Sequence, residues 1–345
     1  MITKEEFLRH KNYWLGLLRH LTWRKLVNFI RVETRLRAGR PSMDGLYPYI
    51  LFMEMSHHCN LRCPLCKTGL KKQIPRKNRM TFETYIKTVE PLKDYLFLVF
   101  LYNLGEPFLN PDIYKIIKWN TDANIGSVVS SNLNLPVDGR ALVDNRLELL
   151  IVSGDGITQE VYEKYRVGGS LEKVFDNLEG IVKAKKETGS KLPIIEWQCL
   201  VNRWNEPQMG KIKETVYQKD VNYVRFGTLN YYPIVEDREA VEKEWAPNNP
   251  SFRGHCSEFN ANFAKSARKP CYYLWRTAIV NVDGSVAPCC LYDIPAWGNA
   301  FDEGLLSVWN NETYKEARLR FCKENWKKPD MNLVCDGCTA PFLYK

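Results

Sequence analysis

Cys59, Cys63 and Cys66 stand on one short run, Ser56-His57-His58-Cys59-Asn60-Leu61-Arg62-Cys63-Pro64-Leu65-Cys66, directly after the apolar stretch Tyr49–Met55. Three thiolates on one loop can hold three irons of a cubane iron–sulfur cluster and leave the fourth iron without a protein ligand, open to a small molecule. A structural zinc loop is the plainer reading of clustered cysteines, but zinc knuckles normally pair Cys-x-x-Cys units to reach four ligands. The x3/x2 triplet favours a cluster with one vacant corner.

A second set, Cys271, Cys289, Cys335 and Cys338, reads Cys-x17-Cys and, much later, Cys-x-x-Cys. Asp283-Gly284 lies between the first two, a hairpin turn signal flanked by β-prone runs, so the chain is expected to fold back there and bring cysteines near one another. Four thiolates would saturate a cluster, which suits electron transfer better than substrate binding; a structural zinc is the alternative. Cys256, Cys290 and Cys322 remain over. Cys290 is an alternative to Cys289 as a ligand. Any of the three could give a hydrogen atom to a substrate radical, although a small buried side chain is the ordinary role of a lone cysteine.

The triplet resembles the signature of the radical S-adenosylmethionine (SAM) superfamily, Cys-x3-Cys-x2-Cys, here with His58 in the aromatic position before the first cysteine. The resemblance implies that Cys59, Cys63 and Cys66 bind a [4Fe–4S] cluster whose open iron chelates SAM and splits it with one electron into methionine and a 5′-deoxyadenosyl radical. Asn103-Leu104-Gly105-Glu106-Pro107 resembles the family's Gly-Gly-Glu-Pro segment, with Leu104 in place of the first glycine. By that likeness Gly105, Glu106 and Pro107 lie at the SAM ammonium. Ser130 and Asn132, then Ser153 and Asp155, stand at the ends of β-prone runs and suit ribose hydroxyls, though such residues also cap helices and make turns everywhere. Arg166 matches a family position near the SAM carboxylate, and Gln198 is a weaker candidate contact. Cys271, Cys289, Cys335 and Cys338, with Gly298-Asn299 and Val308-Trp309-Asn310, resemble the SPASM/twitch extension of these enzymes. Because the sequence stops seven residues after Cys338, one auxiliary [4Fe–4S] cluster is expected rather than two.

These residues need a scaffold. Apolar runs at Tyr49–Met55, Leu96–Tyr102, Ile125–Ser130, Leu149–Ser153, Pro193–Leu200 and Tyr223–Phe226 read as strands, and helices are expected to begin near Thr81, Pro111, Val137, Ser170 and Glu206. Thr81 before Phe82-Glu83-Thr84 is a plausible cap. The alternation implies parallel strands, and the resemblance specifies a partial (β/α)6 TIM-like barrel with function at the C-terminal strand ends. The chain thus divides into an N-terminal amphipathic helical extension over 1–45, the barrel over 46–235, and a SPASM/twitch domain over 236–345. In the extension, Thr3 opens one helix and Thr22 a second, which carries Trp23, Leu26, Val27 and Ile30 on one stripe and Arg24, Lys25, Arg31, Arg35, Arg37 and Arg40 opposite. Covering one end of the barrel is the expected role, with peripheral contact to an anionic membrane as the alternative.

Eleven cysteines in metal-like spacings in a 345-residue chain without an apolar N-terminal signal point to a reduced, cytoplasmic, metal-binding protein, in a low-oxygen host or under strict protection. No apolar run is long enough for a membrane span. The net charge of +9 suits an anionic partner without choosing one; nucleic acid is disfavoured because no RNA-binding module is recognisable. The expected activity is an oxidoreductase-like radical SAM reaction, a two-electron oxidation of a small-molecule, carbohydrate or lipid-linked substrate, fed by an external donor such as flavodoxin or ferredoxin. The twitch-like layout resembles enzymes that oxidise a secondary alcohol. Peptide or protein modification, or epimerisation with a cysteine hydrogen donor, is the enzymatic alternative, made less expected by an N-terminal extension too short for a leader-binding domain. A non-catalytic iron–sulfur or zinc scaffold is the alternative from another class.

Overall fold

In parallel sheets covered on both faces, strands read as near-continuous apolar runs, and Ile50-Leu51-Phe52-Met53 and Leu149-Leu150-Ile151-Val152 are of that kind. The computed structural model describes residues 4–71, 79–229, 237–253, 271–289 and 296–322. Within them, six parallel strands follow in order: β1 (Ile50–Met53), β2 (Leu98–Phe100), β3 (Gly126–Ser131), β4 (Leu149–Ser153), β5 (Ile194–Val201) and β6 (Tyr223–Thr228). Each pairs with its sequence neighbour. No pairing joins β6 to β1, so the sheet is an open, partial barrel.

The helices between them form for local reasons. Thr81 caps α3 (Phe82–Val89), its hydroxyl accepting from Thr84 N at 3.2 Å. In α4 (Ile113–Asp122), Ile113, Ile116, Ile117 and Asn120 lie one to two turns apart on the buried face. A short α5 (Gly139–Asp144) follows β3, and α6 (Gln159–Tyr165) is an extra helix not expected from the sequence. Ser170 caps α7 (Leu171–Thr188), which ends at Gly189 with φ +66°, the left-handed C-terminal turn that favours glycine. One 3-10 turn at Glu206–Gln208 leads into α8 (Met209–Gln218). On β5, Trp197 stacks on Phe175 of α7 at 5.8 Å, so odd-numbered residues face the helices. Glu196, Gln198 and Leu200 therefore face the lumen.

The segment after β6 begins with α9 (Arg238–Trp245). Beyond it, α10 (Tyr272–Arg276) leads directly into β7 (Thr277–Val280), which turns at Asp283-Gly284 into the antiparallel β8 (Val286–Ala287). The hairpin expected there is present, with Gly284 at φ +85°. It is not a separate sheet: β7 pairs in parallel with β1 along Ile50–Met53, extending the barrel to eight strands. Two further helices, α11 (Leu305–Trp309) and α12 (Glu312–Arg320), close over the hairpin. Arg318 of α12 is fully buried and makes no salt bridge among the described residues. It donates to Leu274 O at 2.9 Å and Trp309 O at 2.7 Å, and its guanidinium lies 4.7 Å from the Trp309 ring centre. Burial lowers its pKa to about 10.

Two helices, α1 (Lys4–Arg19) and α2 (Trp23–Arg37), pack on the barrel as expected, at the strand starts. Glu148, immediately before β4, pairs with Arg19 and His20. Lys25 donates to Asn124 O, just before β3, at 2.5 Å, and Glu33 holds Arg276 at 2.7 Å and Tyr49 at 2.7 Å. The packing face of α2 is not the apolar stripe. Lys25, Asn28, Val32, Glu33 and Leu36 are buried, whereas Trp23 is 76% exposed and Ile30 53%. Burying polar anchors explains this, because they satisfy backbone and ionic groups that the strand starts leave open. No described helix is long and apolar enough to cross a membrane.

Candidate active site

The cysteine loop starts where β1 ends. His57 Nδ1 lies 2.8 Å from Glu54 Oε1, both side chains being buried, and the other Glu54 oxygen accepts from Val282 N at 3.0 Å. The base of the loop is thereby fastened to the turn of the β7–β8 hairpin. Within the loop, Leu61 N donates to Cys59 Sγ at 3.4 Å and Cys66 N to Cys63 O at 3.3 Å. Leu61, Leu65, Tyr165, Leu229 and Trp245 pack around the thiols as an apolar cluster apart from the main core. Burial pushes the Cys59 thiol up to about 12 and raises that of Cys63, against the pull of Arg166. Metal binding, which needs thiolates, would release those protons. Among the described residues, no three His, Cys, Asp or Glu side chains converge on a point that one metal ion could occupy.

Gly105 presses against this loop from the end of β2. Its φ is +72°, and a Cβ there would lie 2.1 Å from Ser56 O; only glycine fits. Glu106 N donates to His58 O at 2.8 Å, and Pro107 opens a 3-10 turn. The Glu106 carboxylate is buried and accepts from Ser131 Oγ at 2.8 Å, Asn132 N at 2.9 Å and Phe108 N at 3.2 Å. Burial raises its pKa despite those donors. Glu106 thus braces the end of β2 against the end of β3.

At the end of β3, Asn132 Nδ2 lies 3.0 Å from Asn60 Oδ1 and 3.6 Å from Cys59 Sγ. Ser130 is half-buried on the lumen face, while Ser131 points away to Glu106. At the end of β4, Ser153 is half-buried in the lumen, and Asp155 is fully buried behind it. Asp155 Oδ2 accepts from Arg166 Nε at 2.5 Å and Oδ1 from Leu200 N at 2.6 Å, so both of its oxygens are engaged within the protein. Burial raises the Asp155 pKa and Arg166 counters it, while Asp155 and Cys63 hold the guanidinium charged. Arg166 Nη1 reaches Cys63 Sγ at 3.8 Å, and Arg62 N donates to Val167 O at 3.0 Å.

Ser153, Gln198 and Arg225 form one lumen row across β4, β5 and β6. Sequence reasoning passed over Arg225, which donates to the buried Glu196 at 2.5 Å and keeps a partly exposed guanidinium in the lumen. Its only signal was a charge inside the apolar run Tyr223-Val224-Arg225-Phe226.

Of the second cysteine set, Cys271 is buried at the start of α10 and Cys289 half-buried two residues after β8. Cys335 and Cys338 lie outside the described residues, as do Cys256 and Cys290. Cys322 donates to Gly39 O. Cys199, buried on the helix-facing side of β5, completes the cysteines.

Residues 271–339 match the SPASM family, an iron–sulfur cluster-binding domain. The chain carries a C-terminal SPASM domain. The chain is 27% identical over 142 residues to the AdoMet-dependent heme synthase of Methanosarcina barkeri, a match that spans 40% of each. It is 24% identical to the PqqA peptide cyclase of Gluconobacter oxydans over 76% of both chains. Its fold is shared by Streptococcus suis SuiB bound to S-adenosylmethionine, at a TM-score of 0.60 and 16% identity over 80% of this chain and 68% of SuiB. Iron–sulfur cluster binding is the property described for the matched domain.

Proposed function

We propose that Cys59, Cys63 and Cys66 hold the SAM-binding [4Fe–4S] cluster and that Cys271, Cys289, Cys335 and Cys338 hold one auxiliary cluster. The observation that carries this reading is the convergence on one thiol loop of the ends of β2, β3 and β4, through Gly105, Asn132 and the Asp155–Arg166 pair. A cluster held there would supply the electron that splits SAM and so permit hydrogen-atom abstraction from substrate, and a cluster at the other four cysteines would offer a place for the electron that a two-electron oxidation leaves over.

The protein's own residues set the stage. The Gly105 backbone would meet the SAM amino group, Arg166 its carboxylate, and Asn132 and Ser153 its ribose. Ser130 and Gln198 line the same lumen. Glu106, Pro107 and Asp155 position these contacts without being exposed themselves. The apolar shell around the loop keeps water from the reacting centre.

On the substrate side, Phe52, Phe100 and Tyr102 stack along one wall of the lumen, with ring centres 4.5 to 5.9 Å apart, and Arg225 faces the same space. A guanidinium there suits a substrate with a carboxylate or phosphate group. A peptide substrate is the second reading, supported by the likeness to PqqA peptide cyclase over most of both chains.

The test is anaerobic reconstitution followed by reduction with dithionite in the presence of SAM. The protein should hold about eight irons and form 5′-deoxyadenosine, and Cys59→Ala, Cys63→Ala and Cys66→Ala should form none. Cleavage retained in those variants, or zinc alone at the triplet, overturns the reading.

A further inference from the structure

Seven of the ten large apolar side chains that stand exposed among the described residues fall between positions 7 and 30. On α1, Phe7, Trp14 and Leu18 lie along one line with Lys11, at spacings of three and four residues, and Leu15 flanks them. Leu21 continues the patch through the turn between the helices. On α2, Trp23, Ile30 and Arg37 are seven residues apart and share one line. The helices meet where the Trp14 ring lies 6.4 Å from that of Phe29, next to Ile30. A soluble helix hides such a stripe; here the opposite faces are the buried ones.

Charge says what covers the patch. Residues 1–45 contain ten Lys and Arg against four Asp and Glu, so they carry six of the nine net positive charges in about an eighth of the chain. Two of the four acids are turned to the protein: Glu33 holds Arg276, and Glu5 holds Lys213. Lys11, Arg31 and Arg37 are exposed and pair with no acid among the described residues. Large aromatic and aliphatic groups beside unpaired cations are the composition of helices that lie in the plane of an anionic lipid interface. A second copy of this chain would bring like charge against like charge.

We propose that α1 and α2 form a docking face for the surface of an anionic lipid bilayer, with Phe7, Trp14, Leu18, Trp23 and Ile30 entering the headgroup region and Lys11, Arg31 and Arg37 meeting lipid phosphates. The face covers the strand starts, and the cysteine loop lies at the strand ends. Docking therefore leaves the mouth of the barrel toward the aqueous side, open to reductant and substrate.

Flotation of the iron-loaded full chain with vesicles tests this independently of any catalytic reading. Vesicles of phosphatidylcholine with 30% phosphatidylserine should carry the protein upward at least about tenfold better than pure phosphatidylcholine, an advantage that shrinks as salt is raised. The double variant Trp14→Asp/Trp23→Asp should lose vesicle binding by tenfold or more, and Arg31→Glu/Arg37→Glu should lose the preference for phosphatidylserine. Both pairs are exposed, so iron content and thermal melting should match the parent; Trp14→Gln/Trp23→Gln, a milder change, guards against misfolding. Absence of flotation with either vesicle, or undiminished flotation of the tryptophan variants, overturns the proposal. So does light scattering that shows a dimer abolished by the tryptophan changes, since the occupant would then be a second copy.

Discussion

Arg166 is held by Asp155 through its Nε at 2.5 Å while its Nη1 reaches the Cys63 sulfur at 3.8 Å. One buried carboxylate thus aims one cation at the thiol loop. Asp155→Asn keeps the shape but releases that aim. SAM affinity should fall by 10- to 100-fold, the range for lost supporting contacts at a metal site, with iron content unchanged, as titration of the reduced protein with SAM would read. Arg166→Gln leaves a buried carboxylate unpaired and should also cost about 3 kcal/mol of stability, measured as a lower denaturation midpoint.

Gly105→Ala should be more damaging than its size suggests. The φ of +72° and the 2.1 Å approach to Ser56 O leave no room for a methyl group, and the obstacle is backbone. The loop must move for the variant to fold. Iron bound at the triplet and 5′-deoxyadenosine formation should both fall more than tenfold, while the folded content seen by circular dichroism stays.

Lys25 gives a pH signature far from the site. It lies on the buried face of α2, and burial lowers its pKa to about 8 from 10.5. Below pH 8 the folded and unfolded chains both carry the proton; between about 8 and 10.5 only the unfolded chain does, so folding stability contributed by this residue rises with pH across that window. Lys25→Met removes the proton-binding difference. The variant's denaturation midpoint should gain on the parent at pH 7 and lose that advantage by pH 10.

Arg318 ties Leu274 and Trp309 together from a fully buried position. Arg318→Leu removes the charge but abandons these carbonyls and should cost about 2 to 4 kcal/mol in urea unfolding. Arg318→Lys should recover little, because one ammonium cannot reach the spread acceptors that a guanidinium fork spans.

Much of this architecture was readable in advance for identifiable reasons. The strands announced themselves because parallel strands buried on both faces need unbroken apolar runs, and Leu149–Ser153 has the boundaries expected of it. Thr22 and Thr81 cap the helices they precede, and Asp283-Gly284 turns the hairpin. What escaped were relationships between distant segments. Nothing in Thr277–Val280 says that it will lie beside Ile50–Met53. Helical periodicity located the stripe of α2 but not which side faces inward, since Lys25, Asn28 and Glu33 are buried by partners at Asn124, Tyr47 and Arg276. At the site, residue types gave the candidates, but only the folded chain separates Ser153, in the lumen, from Asp155, which is walled off behind Arg166.

The partnership of β1 with β7 has a practical consequence for anyone dissecting this enzyme. Removing the C-terminal third would strip a neighbour from the strand that feeds the cysteine triplet and take away the Val282 amide that grips Glu54. The bared edge would invite intermolecular pairing. A shortened protein that fails to cleave SAM would then report a collapsed triplet loop, not the contribution of the C-terminal cysteines, and point substitutions at single cysteines are the cleaner way to tell the two sets apart.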